Sequence, residues 1–405
     1  MEEDEAIAMV LAWRANKKPK IGGLVFGRQK LWRERIEGHN KLMRMYFNDD
    51  ATFPESYFCR RFRMSTGLFK RIAKEVAKYD TYFVQRRNVA GELGHSTYQK
   101  VTAALRMLAY GIPVDLIDDH LAMGESTAIK CDKRFVVAIV QVFGAIYLRA
   151  PNAEDTARLL EENAARGFSG MLGSIDCMHW SWKNCPTAWH GQFKGQKKDS
   201  TIILEAVADY ETWIWHAFFG MPGSCNDINV LQRYPLMTRI ALREGPLVEF
   251  EANGHKYNYW YYLADGIYPR WQTFVKPIKK PKGKKQCSFH NAQAAARKDV
   301  EIAFGILQVQ FAIVRGPARF WDQECLWYIM NGCVIMHNMI IEDGRGKGVV
   351  QTHHYDLMGV PVQVQRAEHR MARFMASYHA IRDNETYDEL QQDLIEEWWK
   401  WFGSR

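Results

Sequence analysis

No two of the eight cysteines form a Cys-x-x-Cys pair, and they lie scattered from Cys59 to Cys333. That scatter excludes a dense disulfide framework and fits a reduced intracellular chain. Neither a Walker A loop nor a Rossmann glycine fingerprint is present, so nucleotide hydrolysis is not indicated. Long apolar runs are missing too. The two longest, Phe135 to Leu148 and Cys325 to Ile341, are too short or are interrupted by Gln141, Asn331, His337 and Asn338. No membrane role follows from them. The opening Met-Glu-Glu-Asp-Glu has neither the basic start nor the apolar run of a signal peptide. Internal repeats are absent as well.

What is there is ordinary in bulk and particular in detail. Hydrophobic residues make up 47% and charged residues 25%, enough for a sizeable core. Aromatics reach 13%, with fourteen tryptophans. A net charge of +8 favours a polyanionic partner without naming one. Length alone predicts about two or three domains. Residues 1–50 read as a loosely ordered arm, because Arg14 to Lys20 and the glycines after it carry little apolar period. Residues 51–165 read as helical, with Leu68, Ile72 and Val76, then Val101, Leu105 and Leu108, at helix spacing. Residues 166–345 mix strands and helices. Residues 346–405 read as a glycine-containing linker and a helical tail.

Within the helical segment, Val114 to Ala122, a turn at Gly124 and a longer helix from Thr127 to Val142 outline a helix-turn-helix. Ser126 is the expected N-cap of that longer helix. Lys130, Lys133 and Arg134 would then lie where a recognition helix meets DNA. A plain three-helix packing unit has the same outline, so both readings stand.

Four acids concentrate the chemistry: Asp176, Asp227, Asp265 and Glu301. Three of them stand in or beside apolar runs, where a carboxylate is costly to bury without a cation. Carboxylates far apart in sequence but at the ends of core elements are what an oxygen-coordinated Mg²⁺ or Mn²⁺ site needs. Strands are expected at Met171–Trp182, 200–209 and 212–220, a helix from Asp227, a short strand at 259–263 and a long helix from about Asn291. Three antiparallel strands, a helix, a strand and a helix is the order of an α/β, ribonuclease H-like core. In that order the first and fourth strands are neighbours, which pairs Asp176 with Asp265. Glu301 flanks the stripe of Val300, Phe304, Leu307 and Phe311, so it can reach the sheet edge from the helix. Together the three would hold two divalent ions for phosphodiester chemistry. Asp227 sits at a helix N-terminus, where capping competes with metal ligation.

The strings Gly-Ser-Ile-Asp-Cys-Met-His-Trp around Asp176, Pro-Gly-Ser-Cys-Asn-Asp-Ile-Asn around Asp227, Leu-Ala-Asp-Gly-Ile-Tyr-Pro around Asp265 and Val-Glu-Ile-Ala-Phe-Gly around Glu301 occur in order. With Met-His-Asn-Met-Ile at 336–340, this series resembles the plant PIF/Harbinger group of DDE transposases and their domesticated relatives, over roughly residues 55 to 345. The resemblance implies a Mg²⁺- or Mn²⁺-dependent DNA endonuclease and strand-transferase, acting on double-stranded element termini and target DNA. It implies Asp176, Asp265 and Glu301 at the DDE positions, with Asp227 as a further acid. It also implies a nuclear site of action and a separate Myb-like DNA-binding partner; self-association is a further expectation. Domesticated members lacking catalysis supply the alternative, a chromatin or DNA-binding scaffold.

Two further clusters remain. Cys177, His179, Cys185 and His190 are close in sequence, but their spacing matches no common zinc finger. Lys279, Lys280, Lys282, Lys284 and Lys285 crowd the segment between Asp265 and Glu301, which is expected to lie near the catalytic edge. Phosphate contact, a nuclear-import signal and a solvated loop all fit it. Lys194, Lys197 and Lys198 form a second basic stretch.

Overall fold

The computed structural model describes residues 31–195, 199–225, 248–345 and 384–403. The described residues from Arg35 onward form one compact unit. The first helix of this unit, α1 (Arg35–Tyr46), falls inside the stretch read as an arm. Leu42 and Tyr46 anchor it, and two buried side chains one turn apart are a thin signal in sequence. Then come α2 (Glu55–Phe62), α3 (Thr66–Tyr79), α4 (Thr97–Tyr110), α5 (Asp115–Leu121), α6 (Glu125–Tyr147) and α7 (Ala153–Ala165).

Their starts obey local chemistry. The Ser96 hydroxyl accepts from Gln99 N–H and the Gln99 side chain accepts from Ser96 N–H, a capping box opening α4. Asn152 and Asp155 do the same for α7. Helix α6 departs from expectation, because Gly124 and not Ser126 is its N-cap. Glu125 occupies the first turn, where its charge suits the helix dipole.

The sheet begins with β1 (Met171–Ser181), β2 (Thr201–Ala208) and β3 (Ile214–Pro222), an antiparallel series whose last two strands are joined through Asp209-Tyr210-Glu211. Next, β4 (Phe250–Ala252) and β5 (His255–Tyr257) form a small separate hairpin. Two short strands, β6 (Tyr261–Leu263) and β7 (Phe274–Val275), add parallel to the far side of β1. The resulting order is β3-β2-β1-β6-β7, a mixed five-stranded sheet with β1 at its centre. Helices flank it: α8 (Gly283–Gln310), α9 (Gln323–Arg345) and α10 (Asn384–Gly403). The architecture is mixed α/β.

One large apolar cluster runs from Leu42 in α1 through α3, α4 and α6, into the sheet and on to Met339 of α9. Trp180 and Trp182 are almost wholly buried at the end of β1, and their indole N–H groups donate to the carbonyls of Gly316 and Phe320. Each such side chain contributes about 2–3 kcal/mol through burial, with its polar atom satisfied. A second cluster lies where α10 covers β5, β6 and the start of α8.

Candidate active site

Position on the sheet brings the first two acids together. In the parallel pair, Ser174 of β1 stands opposite Leu263 of β6. Asp176, still within β1 and opposite Ala206 of β2, and Asp265, just past the end of β6, each lie two residues beyond that point, so they stand at neighbouring places. Asp176 shares its face of β1 with Ser174, Met178 and Trp180, and all four meet α8 or the turn after it. The Ser174 hydroxyl donates to the Ala296 carbonyl at 3.1 Å, and Gln308 reaches the Met178 sulfur. Helix α8 therefore lies across the strand with its 297–301 turn over Asp176.

That turn carries a residue passed over in the sequence. Arg297 donates through one nitrogen to Asp176 Oδ2 at 3.1 Å and through the other meets Glu301 Oε1 at 2.7 Å. An arginine four residues before a glutamate on one helix face is an ordinary pairing signal. Nothing local, however, says that the same guanidinium also meets a strand acid from 121 residues away. Burial pushes the Asp176 carboxyl above its usual range. The Cys177 N–H and Arg297 pull it back, and the charges of Asp265 and Glu301 push it up again. The three carboxylates thus feel one another across a partly desolvated edge. Against one guanidinium they leave the site net negative.

Other contacts fix the frame. Gln293, fully buried one turn before Arg297, donates to the carbonyls of Ala264 and Val275, clamping the ends of β6 and β7 next to Asp265. Asp265 Oδ1 accepts from Ile267 N–H at 2.7 Å and so shapes its own turn. Beneath that turn Tyr268 is fully buried, with its hydroxyl 3.5 Å from Glu205 Oε1 and 3.6 Å from Cys177 Sγ. Lys276 donates to the Tyr268 carbonyl.

Among the described residues, no three His, Cys, Asp or Glu side chains are grouped so as to hold a metal ion. At this edge the Arg297 guanidinium stands between Asp176 and Glu301. The donors themselves are hard carboxylate oxygens of the kind Mg²⁺ and Mn²⁺ take. Asp227 lies outside the described residues.

The basic residues divide. Helix α8 starts at Gly283, eight residues before the expected Asn291, so Lys284 and Lys285 are helical and Lys282 is the N-cap. Eighteen residues at 1.5 Å each put this end roughly 27 Å along the axis from Glu301. The lysine-rich segment therefore begins beside Asp265, whose charge Lys276 feels, and runs away from the acids. Lys285 is committed to Glu396 of α10 at 2.6 Å, whereas Lys279, Lys280, Lys282 and Lys284 are exposed. Lys194 is exposed in the β1–β2 connection; Lys197 and Lys198 lie outside the described residues. On α6, Arg134 is paired with Asp80 at 2.6 Å, Lys130 lies over the Tyr82 ring and Lys133 over Phe320.

The Cys/His cluster resolves into separate contacts. His179 meets the Thr201 hydroxyl and His190 meets the Cys185 carbonyl. His337 is a core histidine, as expected. It is held between Gln310 and the Thr212 carbonyl, and burial pushes it down to about 4.

Comparison with known proteins adds a family. Residues 145–347 match the family described as "Plant transposon protein", and residues 38–77 match a domain of unknown function. A protein of Arabidopsis thaliana named "Protein ALP1-like" is 25% identical over 268 residues, 61% of this chain and 61% of that protein. A Bos taurus protein named "Putative nuclease HARBI1" is 22% identical over 249 residues, 60% of this chain and 67% of its own length. Its Rattus norvegicus counterpart is 21% identical over the same shares. The chain thus spans about three fifths of the first of these relatives. No solved structure matches it.

Proposed function

The chain belongs to the plant transposon protein family, of Harbinger-transposase descent, and from that premise we propose a metal-dependent DNA endonuclease and strand-transferase. One observation carries the reading: Asp176 on β1 and Asp265 just past the end of the parallel β6 each lie two residues beyond the Ser174–Leu263 pair, and Arg297 ties Asp176 to Glu301. The strand order, three antiparallel and then two parallel, supports a ribonuclease H-like core. Asp176, Asp265 and Glu301 are the proposed ligands of two Mg²⁺ or Mn²⁺ ions, with Asp227 as a further ligand. Bound there, such ions supply activation of an attacking water or 3′-hydroxyl and stabilisation of the leaving oxygen.

The chain's own residues do the positioning. Gln293 keeps the Asp265 strand end in register with α8, and Tyr268 backs its turn. Burial raises the free energy of the Asp176 charge, so the carboxylate gains more from a cation than a solvated one does. Arg297 compensates Asp176 and Glu301, and its guanidinium would offer a forked donor suited to phosphate if the acids were held by ions instead. The reading includes nuclear action on double-stranded element ends, assisted by a Myb-like partner.

Asp176→Asn and Glu301→Gln are each expected to lower Mg²⁺- or Mn²⁺-dependent cleavage of candidate element ends by at least about 10³-fold while duplex binding persists, on the order of the loss seen when a catalytic group acts only in the transition state. Full activity in either variant would sink the assignment. The Arg297 bridge also favours a second reading, a domesticated scaffold in which the acids serve structure. That reading predicts no cleavage by the wild-type chain, with or without a partner.

A further inference from the structure

Away from the carboxylates, the segment between α3 and α4 folds against α6 around one tyrosine. Three cations converge on the Tyr82 ring: Arg134 Cζ at 4.9 Å, Lys100 Nζ at 5.1 Å and Lys130 Nζ at 5.2 Å. A cavity of about 330 Å³ opens there, lined by Thr81, Tyr82, Val84, Arg86, Lys100 and Arg134. Lys100 is 7% exposed. Its ammonium is held by the carbonyls of Tyr82 at 2.7 Å and Val84 at 3.3 Å, and not by a carboxylate. Among the described residues, Asp80 is the acid in contact with this group, and both its oxygens are taken by Arg134, at 2.6 and 2.8 Å. A ring face offsets a cation by only about 0.5–2 kcal/mol. The cavity therefore keeps a positive excess, deepest at Lys100.

We propose that this cavity receives a phosphate of the DNA backbone, seated against Lys100 and Arg86 at a site distinct from the acidic edge. It deepens the nuclease reading, on which it rests, by supplying a holding point remote from the chemistry. An anion at the floor of the cavity would compensate a nearly buried ammonium, which is costly in the free chain. The Thr81 hydroxyl and the Arg86 guanidinium add neutral and forked donors at the mouth. Duplex is favoured over a single phosphorylated side chain because further cations are exposed beside it, Arg87 next to Arg86 in the chain and Lys130 over the Tyr82 ring, and a polyanion can meet several together. On these contacts α6 approaches the backbone through Lys130 and Arg134, and groove reading by a recognition helix is not needed to explain them.

Arg86→Gln and the double variant Arg86→Gln with Lys130→Gln test this, since both positions are exposed. Fluorescence anisotropy with a random-sequence duplex, over a KCl series and without divalent metal, reads the affinity. The single change is expected to weaken binding about 3–10-fold and to reduce the slope of log K against log [salt] by about 0.9; the double change should reduce it by about 1.8. Unchanged affinity and slope in the double variant overturn the proposal, as does absence of duplex binding by the wild-type chain. Retained binding by Asp176→Asn with loss of cleavage concerns the acidic edge alone. Cleavage failure and pocket failure are thus read separately. A loss confined to binding of a phosphopeptide probe would assign the cavity to a protein ligand and likewise overturn the proposal.

Discussion

Asp132 shows how one misplaced charge reports on packing. It lies on α6, completely buried, and neither carboxylate oxygen meets a hydrogen-bond donor. Burial pushes its pKa up from 3.8 to about 7, with Lys133 opposing weakly. Nearby Cys325 and Cys333 of α9 feel the same charge. Between these two values the folded chain keeps the proton and the unfolded chain releases it, so stability falls as pH rises, by about 1.4 kcal/mol per unit. Above about pH 7 both states are ionised and the loss levels off. Asp132→Asn removes this contribution. Chemical denaturation from about pH 4.5 to about pH 8 should show the variant gaining on wild type up to about pH 7 and holding that margin beyond. A margin that does not change with pH would mean the carboxyl is solvated or paired. The sequence could not have flagged this residue, since Cys-Asp-Lys on a helix reads as a solvated turn.

At the scale of elements, the long helices and strands were legible because periodicity reports burial directly. Leu68, Ile72 and Val76 all line the core side of α3, and the β1 to β3 series appears within two residues of its expected bounds. What escaped was short or non-local. Strands β4, β5 and β7 have two or three residues each, too few to show a period. The docking of α10 depends on contacts more than 130 residues distant: Asp393 meets His255, Tyr257 and Asn253, and Glu397 meets Ser169 and Asn253. Its acidic, tryptophan-rich sequence announced a helix but not a partner. Gly167 tests that docking. It has φ +87°, and a Cβ there would stand 2.7 Å from the Trp398 ring. Gly254 has a similar φ of +91° but open space around it. Gly254→Ala should therefore lose about 1–2 kcal/mol from backbone strain alone. Gly167→Ala should lose at least about 1 kcal/mol more, because α10 must shift. Equal losses in urea melts would show that α10 does not rest on this turn.

The whole molecule is tied together at the end of α9. Asn338 is completely buried; its amide donates to the Tyr147 carbonyl closing α6 and to the Ile214 carbonyl opening β3, while its oxygen accepts from Ile214 N–H. His337 reaches the β2–β3 turn at Thr212 and the end of α8 at Gln310. In sequence, residues 51–165 and 166–345 look like separate segments because the pattern changes from helical to strand-like after Pro151. Pattern changes mark a change of element type and say nothing about whether the core is shared. Here α9, C-terminal to the whole sheet, buries Met330, Cys333 and Val334 in the same cluster as Val136 and Ile139 of α6. A piece spanning residues 166–405 would leave that face of α9 uncovered and the Asn338 amide without its Tyr147 partner. Each buried polar group left unpaired costs about 1–3 kcal/mol, and each large side chain re-exposed about as much again. Marginal stability does not survive several such losses. The truncated piece is expected to lack a cooperative melt and to bind a hydrophobic dye, while the chain from residue 35 onward unfolds in one transition. A sharp melt of the 166–405 piece with the carboxylate edge intact would establish the sheet as an independent domain, and the helices before it as an appendage.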